Sequence, residues 1–144
     1  ILEIGVGRNQ DRSFFHIITQ QKPSSAVYLG VDLQEHTHIQ DPSLNRWFLK
    51  TNSFNQAEIR NKLQELGANS LSLLIIDSWH SINTAVNDWK YADMVHPGGI
   101  VLIHDTNAHP GPVALFDAID DQIWEKHKLC TSVSDYGIGY LKRK

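Results

Sequence analysis

Five short apolar runs, each long enough for one buried strand and each ending in a polar or glycine-rich cluster, alternate with helix-patterned segments along this chain. The runs are "ILEIG" (1–5), "AVYLGVDL" (26–33), "RWFLKT" (46–51), "SLSLLIID" (70–77) and "GGIVLIHD" (98–105), the last announced by Pro97-Gly98-Gly99. Between them, "DRSFFHIITQQ" (11–21) places Phe14, Phe15, Ile17 and Ile18 at helical spacing. "QAEIRNKLQELG" (56–67) sets Ile59, Leu63 and Leu66 on one face, with Gly67 as its stop. "SINTAVNDWKYADMV" (81–95) predicts a helix with Ile82, Ala85, Val86, Trp89 and Met94 largely on one side, and "GPVALFDAIDDQIWEKH" (111–127) another with Pro112 in its first turn. "KLCTSVS" and "GIGYLKR" predict a terminal antiparallel hairpin around Asp135-Tyr136-Gly137. Continuous apolar strands alternating with helices imply an α/β fold with a parallel sheet covered on both faces.

In such sheets ligands bind outside the carboxyl ends of the strands, where the strand order reverses. The residues that matter should therefore follow each strand. They are Glu3-Ile4-Gly5-Val6-Gly7, Asp32-Leu33, Thr51-Asn52-Ser53, Asp77-Ser78-Trp79-His80 and His104-Asp105-Thr106-Asn107.

Composition narrows the classes. With 144 residues, 41% of them hydrophobic, residues 1–144 are expected to form one domain around a single core. Thirteen basic against 16 acidic residues, with no basic stripe, give no support to nucleic-acid binding. No apolar run approaches the roughly 20 residues that span a bilayer, so no membrane partner is expected. A single cysteine, Cys130, permits no internal disulfide and favours a reducing compartment, the cytoplasm. The chain opens on Ile1 inside an apolar run, which reads as a piece of a longer polypeptide lacking N-terminal parts.

Gly5 and Gly7 after the first strand let a ligand press against the backbone and permit positive φ. The dinucleotide fingerprint G-x-G-x-x-G fails here, because Gln10 stands at its last position. That disfavours a nicotinamide oxidoreductase. Glu3, two residues before the first glycine, would gain a pyrophosphate nothing, but it suits a cofactor with a cationic amino-acid part.

"LEIGVGR", with an acid ending the second strand in "YLGVDL", resembles class I S-adenosylmethionine-dependent methyltransferases. "IIDSWHSINTAVNDWKYADMVHPGGIVLIHDTNAHPGP" is similar to the branch that includes macrocin-type sugar O-methyltransferases and cephalosporin-hydroxylase-like proteins. The resemblance covers nearly the whole chain. It implies a Rossmann-like, doubly wound seven-stranded sheet, mostly parallel, with an antiparallel C-terminal strand. It also implies an S-adenosyl-L-methionine cofactor and a small hydroxylated acceptor such as a sugar.

Carried over by position, Gly5 and Gly7 would pass close to the methionyl part of the cofactor, with Glu3 supporting the loop. Asp32, next to Leu33, would accept hydrogen bonds from both ribose hydroxyls. Asn52 would lie by the adenine amino group, where many relatives place an Asp. Asn9 stands where the family often has a further Gly. Asp77 would reach both the cofactor and a metal, and His80 would act as base. Asp77, His104 and Asp105 would hold a divalent ion, Mg²⁺ or Mn²⁺, with His104 standing where some relatives have Glu.

The chemistry explains these residue types. The sulfonium methyl is already activated, so the protein chiefly holds a nucleophile in line with it. A hydroxyl is a poor nucleophile until its proton leaves, and a His near neutrality can take it. Asp77 can also be read as a cap for the following helix, although Ser78 and Ser81 could serve there. Trp79 could floor the pocket, His109 in "NAHPGP" could contact the acceptor, and His36 and His38 are expected to face solvent. Methyl transfer to N or S is an alternative, as is a catalytically inactive methyltransferase-like binding domain of a larger protein. A homo-oligomer is compatible with every one of these readings.

Overall fold

The structure, a computed structural model, describes residues 1–6 and 14–144. Gly7, Asn9 and Gln10 lie outside the described residues, as does the start of the expected first helix. The elements are β1 (Leu2–Ile4), α1 (Phe14–Gln21), β2 (Tyr28–Asp32), β3 (Arg46–Lys50), α2 (Gln56–Glu65), β4 (Leu71–Ile76), α3 (Ile82–Trp89), β5 (Val95–His104), α4 (Pro110–Ala118), β6 (Trp124–Leu129) and β7 (Ile138–Arg143). Short 3-10 turns follow β2 and α3.

The seven strands form one sheet in the order β3-β2-β1-β4-β5-β7-β6. β1 to β5 are parallel, and β7 runs antiparallel to both of its neighbours. The chain winds outward from β1 to β3, then crosses back to β4 and β5. The strand order therefore reverses between β1 and β4, and a crevice opens there at the carboxyl ends. Leu2, Ile4, Leu29, Val31, Leu74 and Ile76 join the main core, all nearly or fully buried. Tyr28 points the other way, with Val6, Phe15 and Ile39, as the two-residue alternation of a strand requires.

Three segments differ from the sequence-based expectation. The helix expected over 111–127 ends at Ala118, where Ile119 turns to an extended conformation. Residues 124–127 instead begin β6, which pairs along β7 from Trp124↔Arg143 to Leu129↔Ile138. The pattern misled because Ile119, Ile123 and Trp124 keep helical spacing across the break. Pro97-Gly98-Gly99 does not precede β5 but lies within it. The register jumps there from Leu71↔Val95 to Leu73↔Ile100, and Gly98 takes a positive φ. Finally, α3 turns only part of its apolar face inward: Ala85 is buried and Trp89 packs against the core. Ile82 and Val86 are exposed, while Asn87 and Asp88 are buried. Among the described residues, no helix is long and apolar enough to cross a membrane.

Candidate functional site

A cavity of about 810 Å³ opens over the carboxyl ends of the five parallel strands. The residues that follow those strands line it: Gly5, Asp32-Leu33, Asn52, Asp77 to His80, and His104-Asp105. Glu3 lies beneath it. Its side chain is fully buried on the Tyr28 face, where Tyr28 Oη donates to Oε2 at 2.7 Å. Burial pushes the Glu3 carboxyl up to about 8, with the Tyr28 hydrogen bond opposing and the Asp77 charge adding to the rise.

At the end formed by β1 to β3, each group is held by its own loop. Gly5 has φ +83°, and a Cβ there would lie 2.7 Å from Ser78 Cα and closer still to the Asp77 carbonyl oxygen. The glycine is thus required by the approach of the β4 loop itself, before any ligand is considered. Asp32 Oδ1 accepts the Gln34 amide at 2.8 Å, and Asn52 Oδ1 accepts the Phe54 amide at 3.0 Å, so both loops turn on these residues. His36 does not face solvent as expected. It lines the cavity with Nε2 3.9 Å from Asp32 Oδ1, whereas His38 is exposed.

At the end formed by β4 and β5, titratable groups crowd together. Ser81 caps α3, its hydroxyl accepting the Thr84 amide at 3.2 Å, so Asp77 is not used as a cap. Asp77 Oδ1 lies 3.2 Å from His104 Nδ1, which is 3.0 Å from Asp105 Oδ1. Asp105 Oδ2 in turn lies 2.6 Å from His80 Nε2. Asp105 is 3% exposed and sits at φ +62°, a conformation that strains a side-chain-bearing residue. His104 Nδ1 and Asp105 Oδ1 are buried without an aligned hydrogen bond. Their contacts with neighbouring groups are close in distance but off the hydrogen-bond line. The Asp77 carboxylate beside Nδ1 is the main reason that His104 is held up to about 9, with burial opposing and Asp105 adding. His80 is shifted down instead, chiefly by burial, which outweighs the pull of Asp105, and the nearby His109 lowers it further. It is therefore neutral at neutral pH.

Among the described residues, two triads offer ligand atoms close enough for a cation: Asp77–His104–Asp105, and His80–Asp105–His109. The rings of His80 and His109 are stacked, 4.0 Å apart and 13° from parallel. An ion must lie near the plane of each imidazole that binds it, so this pair does not share one as arranged. The stack comes from a close helix approach. A Cβ on Gly111 would lie 2.7 Å from the Ser81 carbonyl carbon, which is how the first turn of α4 brings His109 onto His80. In the first triad, His104 Nδ1 lies 3.2 and 3.0 Å from the Asp77 and Asp105 oxygens, close to the edge of an octahedron with ligands at about 2.1 Å. Its buried, unpartnered atoms fit a bound divalent ion.

Sequence reasoning placed His109 within reach of an acceptor but did not foresee its stack, and it read Tyr136 only as part of a hairpin turn. Tyr136 stands over His104 and His109 at ring distances of 6.4 and 6.2 Å. The Asn107 amide holds it there by donating to the Tyr136 carbonyl at 2.8 Å. Asn107, two residues past Asp105, was the only sequence signal for this clamp.

No family model and no curated protein matches the sequence. Solved structures do. The MycE methyltransferase of the mycinamycin biosynthetic pathway, in a complex with Mg and S-adenosylhomocysteine, superposes over 99% of this chain with a TM-score of 0.71 and 15% identity. The chain spans 44% of that protein's length. CalS11, a TDP-rhamnose 3'-O-methyltransferase of calicheamicin biosynthesis, matches over 99% of this chain and 70% of its own, with a TM-score of 0.64 and 12% identity. An rRNA methylase from Streptococcus thermophilus matches over 81% of this chain and 73% of its own, with a TM-score of 0.60 and 11% identity. With the 3-2-1-4-5-7-6 strand order and the crevice at its switch point, this chain has the class I methyltransferase fold.

Proposed function

We propose that the chain is an S-adenosylmethionine-dependent methyltransferase that transfers the methyl group to a hydroxyl of a small molecule such as a sugar. The observation that carries this reading is one cavity whose β1–β3 end offers Gly5, Asp32 and Asn52 and whose β4–β5 end offers a neutral His80 against Asp105. The first end suits a nucleoside with an amino-acid tail. The Asp32 carboxylate keeps an oxygen for the ribose hydroxyls, and the Asn52 loop flanks the adenine. Leu33 is largely exposed, an apolar edge for the base to cover. MycE, crystallised with Mg, S-adenosylhomocysteine and mycinamycin VI, is a neighbour of the same shape that takes a small-molecule ligand.

The chain's own residues then do three things. The strand ends hold the sulfonium methyl and the acceptor oxygen in line. His80, neutral because burial disfavours its cation, removes the hydroxyl proton as that oxygen attacks, and Asp105 favours the imidazolium that results. The stacked His109 fixes the ring plane of His80. Asp77, His104 and Asp105 would hold a divalent ion, and such an ion would lower the pKa of a bound hydroxyl. An imidazole nitrogen beside two carboxylates tilts the choice from Mg²⁺ toward Mn²⁺.

Calorimetric titration with S-adenosylhomocysteine, with and without Mn²⁺, tests the reading. Wild type should bind, and Asp32→Ala should bind at least about tenfold more weakly. It loses hydrogen bonds to a charged group worth roughly 1.5–3 kcal/mol each. Unchanged affinity in Asp32→Ala would remove the ribose assignment, and no binding by wild type would remove the function.

A further inference from the structure

Behind the cavity wall sits a buried carboxylate that methyl transfer does not use. Asp88 on α3 has no exposed surface. Burial pushes its carboxyl up, and hydrogen bonds from Ser78, Ser53 and Asn87 oppose the rise. Ser78 Oγ donates to Asp88 Oδ2, and Asn87 Nδ2 donates to Oδ1 at 3.1 Å. Asn87 itself accepts Gln56 Nε2 at 3.1 Å, which ties in the first turn of α2. One turn further on, Tyr91 Oη donates to the Ser53 carbonyl at 2.8 Å.

These bonds reach from one helix to two loops. One is the β3–α2 loop that carries Asn52 and Ser53, and the other is the β4–α3 loop that carries Asp77 and Ser78. Ser53 and Ser78 both line the cavity. The orientation of α3 needs an explanation, because Ile82 and Val86 face solvent while Asn87 and Asp88 are turned in. Ala85 and Trp89 do pack inward, but apolar burial gives no reason to bring Asn87 and Asp88 in while Ile82 and Val86 stay out. The Asp88 carboxylate holds the Ser78 hydroxyl on one oxygen and the Asn87 amide, itself bonded to Gln56 at the end of the β3–α2 loop, on the other, which no apolar side chain at this position could do.

We propose that Asp88 is a positioning residue that ties the β4–α3 loop to the β3–α2 loop flanking the adenine, and so sets affinity for the adenosine part of the cofactor without touching the cofactor. This rests on the reading of the cavity as a cofactor site. If the tether acts on the adenosine end, its loss weakens every ligand that shares the adenosine by the same factor.

The test is calorimetric titration of the chain with S-adenosylhomocysteine and, separately, with 5'-methylthioadenosine, which keeps the adenosine and lacks the amino acid. Asp88→Leu should lose roughly tenfold or more for both ligands, and by the same factor. Asp88→Asn, which keeps the shape and one acceptor oxygen, should recover to within about threefold of wild type. A merely structural Asp88 would lower the melting temperature of the ligand-free Leu variant and leave its affinities within about twofold of wild type, which overturns the inference. Should Asp88→Leu not fold, Ser78→Ala carries the test through the loop side of the tether. A loss of about fivefold or more supports the tether, and an unchanged affinity overturns it. Wild type that binds neither ligand overturns the cofactor reading and this inference together, whereas wild type that binds, with variants that bind equally well, overturns this inference alone.

Discussion

The two ends of the cavity are built on different principles. At the β1–β3 end each group works within its own loop. Gly5 admits a backbone approach, Asp32 turns the Gln34 amide, Asn52 turns the Phe54 amide, and no hydrogen bond joins the three. At the β4–β5 end no group stands alone. Asp77, His104, Asp105 and His80 form a chain of contacts of 3.2, 3.0 and 2.6 Å, and His109 is stacked on its last member. A site made of independent groups loses binding in increments when one is changed. A site made of coupled groups changes its protonation, tautomers and cation affinity together.

Gly5 is where this contrast is most easily broken, because it belongs to the first end and touches the second. Its missing side chain makes room for the backbone of Asp77 and Ser78, and its φ of +83° disfavours any substitute. Gly5→Val is therefore expected to lose S-adenosylhomocysteine binding altogether and to melt several degrees below wild type, since it overpacks one strand end against the next. Calorimetry and thermal melting of the same preparation check both. A variant that melts like wild type but fails to bind would place the clash with the ligand alone, and the two ends would be more independent than the packing implies.

The coupled end is sharpened by a pair of substitutions. His80→Ala removes the proposed base and should lower the rate of methyl transfer, measured as S-adenosylhomocysteine released, by about 10²-fold or more. Asp105→Asn keeps the shape but loses the charge facing both histidines, and a fall of similar size is expected. The double variant should be little worse than either single one, as befits groups acting as a unit. Affinity for S-adenosylhomocysteine should be unchanged in all three. Additive losses would mean that His80 and Asp105 act separately.

The same contrast governs what could be read from the sequence. The five parallel strands and the cavity-lining residues after them were legible, because a buried parallel strand is a continuous apolar run and the residue at the cavity is the next one along. Gly5, Asp32 and Asn52 need nothing more. The meaning of His80 does not lie in its neighbourhood. It depends on Asp105, 25 positions away, and that proximity exists only because β4 and β5 are adjacent in the sheet. The stacking of Tyr136 and the inward turn of Asp88 were invisible for a related reason. The first depends on the Asn107 clamp, and the second on polar partners, Ser78 from the β4–α3 loop and Asn87 beside it, that the apolar periodicity of α3 does not reveal. The misread helix end had a local cause, since Asp120 and Asp121 stand inside a spacing that stays helical while the backbone does not.

The smallest expected effect concerns the acidity of the coupled end. His104, ordinarily near 6.5, is held up to about 9, chiefly by the Asp77 carboxylate. A folded pKa above the unfolded one means that the folded state binds the proton more tightly. The stability this contributes is complete below about pH 6.5 and is lost as the pH climbs through 9. Glu3 acts in the same direction over a lower window. Its carboxyl rises from 4.5 to about 8, chiefly through burial, so its contribution is present in acid and lost as the pH rises through 8. The melting temperature of the ligand-free protein should therefore decline from mildly acidic to alkaline pH. His104→Gln should flatten the upper part of that decline and leave the lower part, due to Glu3, in place. Mn²⁺ at the proposed site would compete with the proton for Nδ1, so added Mn²⁺ should also flatten the upper part in wild type, and it should do so less in Asp77→Asn. Thermal melts across that pH range, with and without Mn²⁺, read all of this directly. A wild-type melting temperature that rises toward pH 9 would mean that His104 is not held as a cation between the two carboxylates, and the coupling that separates this end of the cavity from the other would be gone.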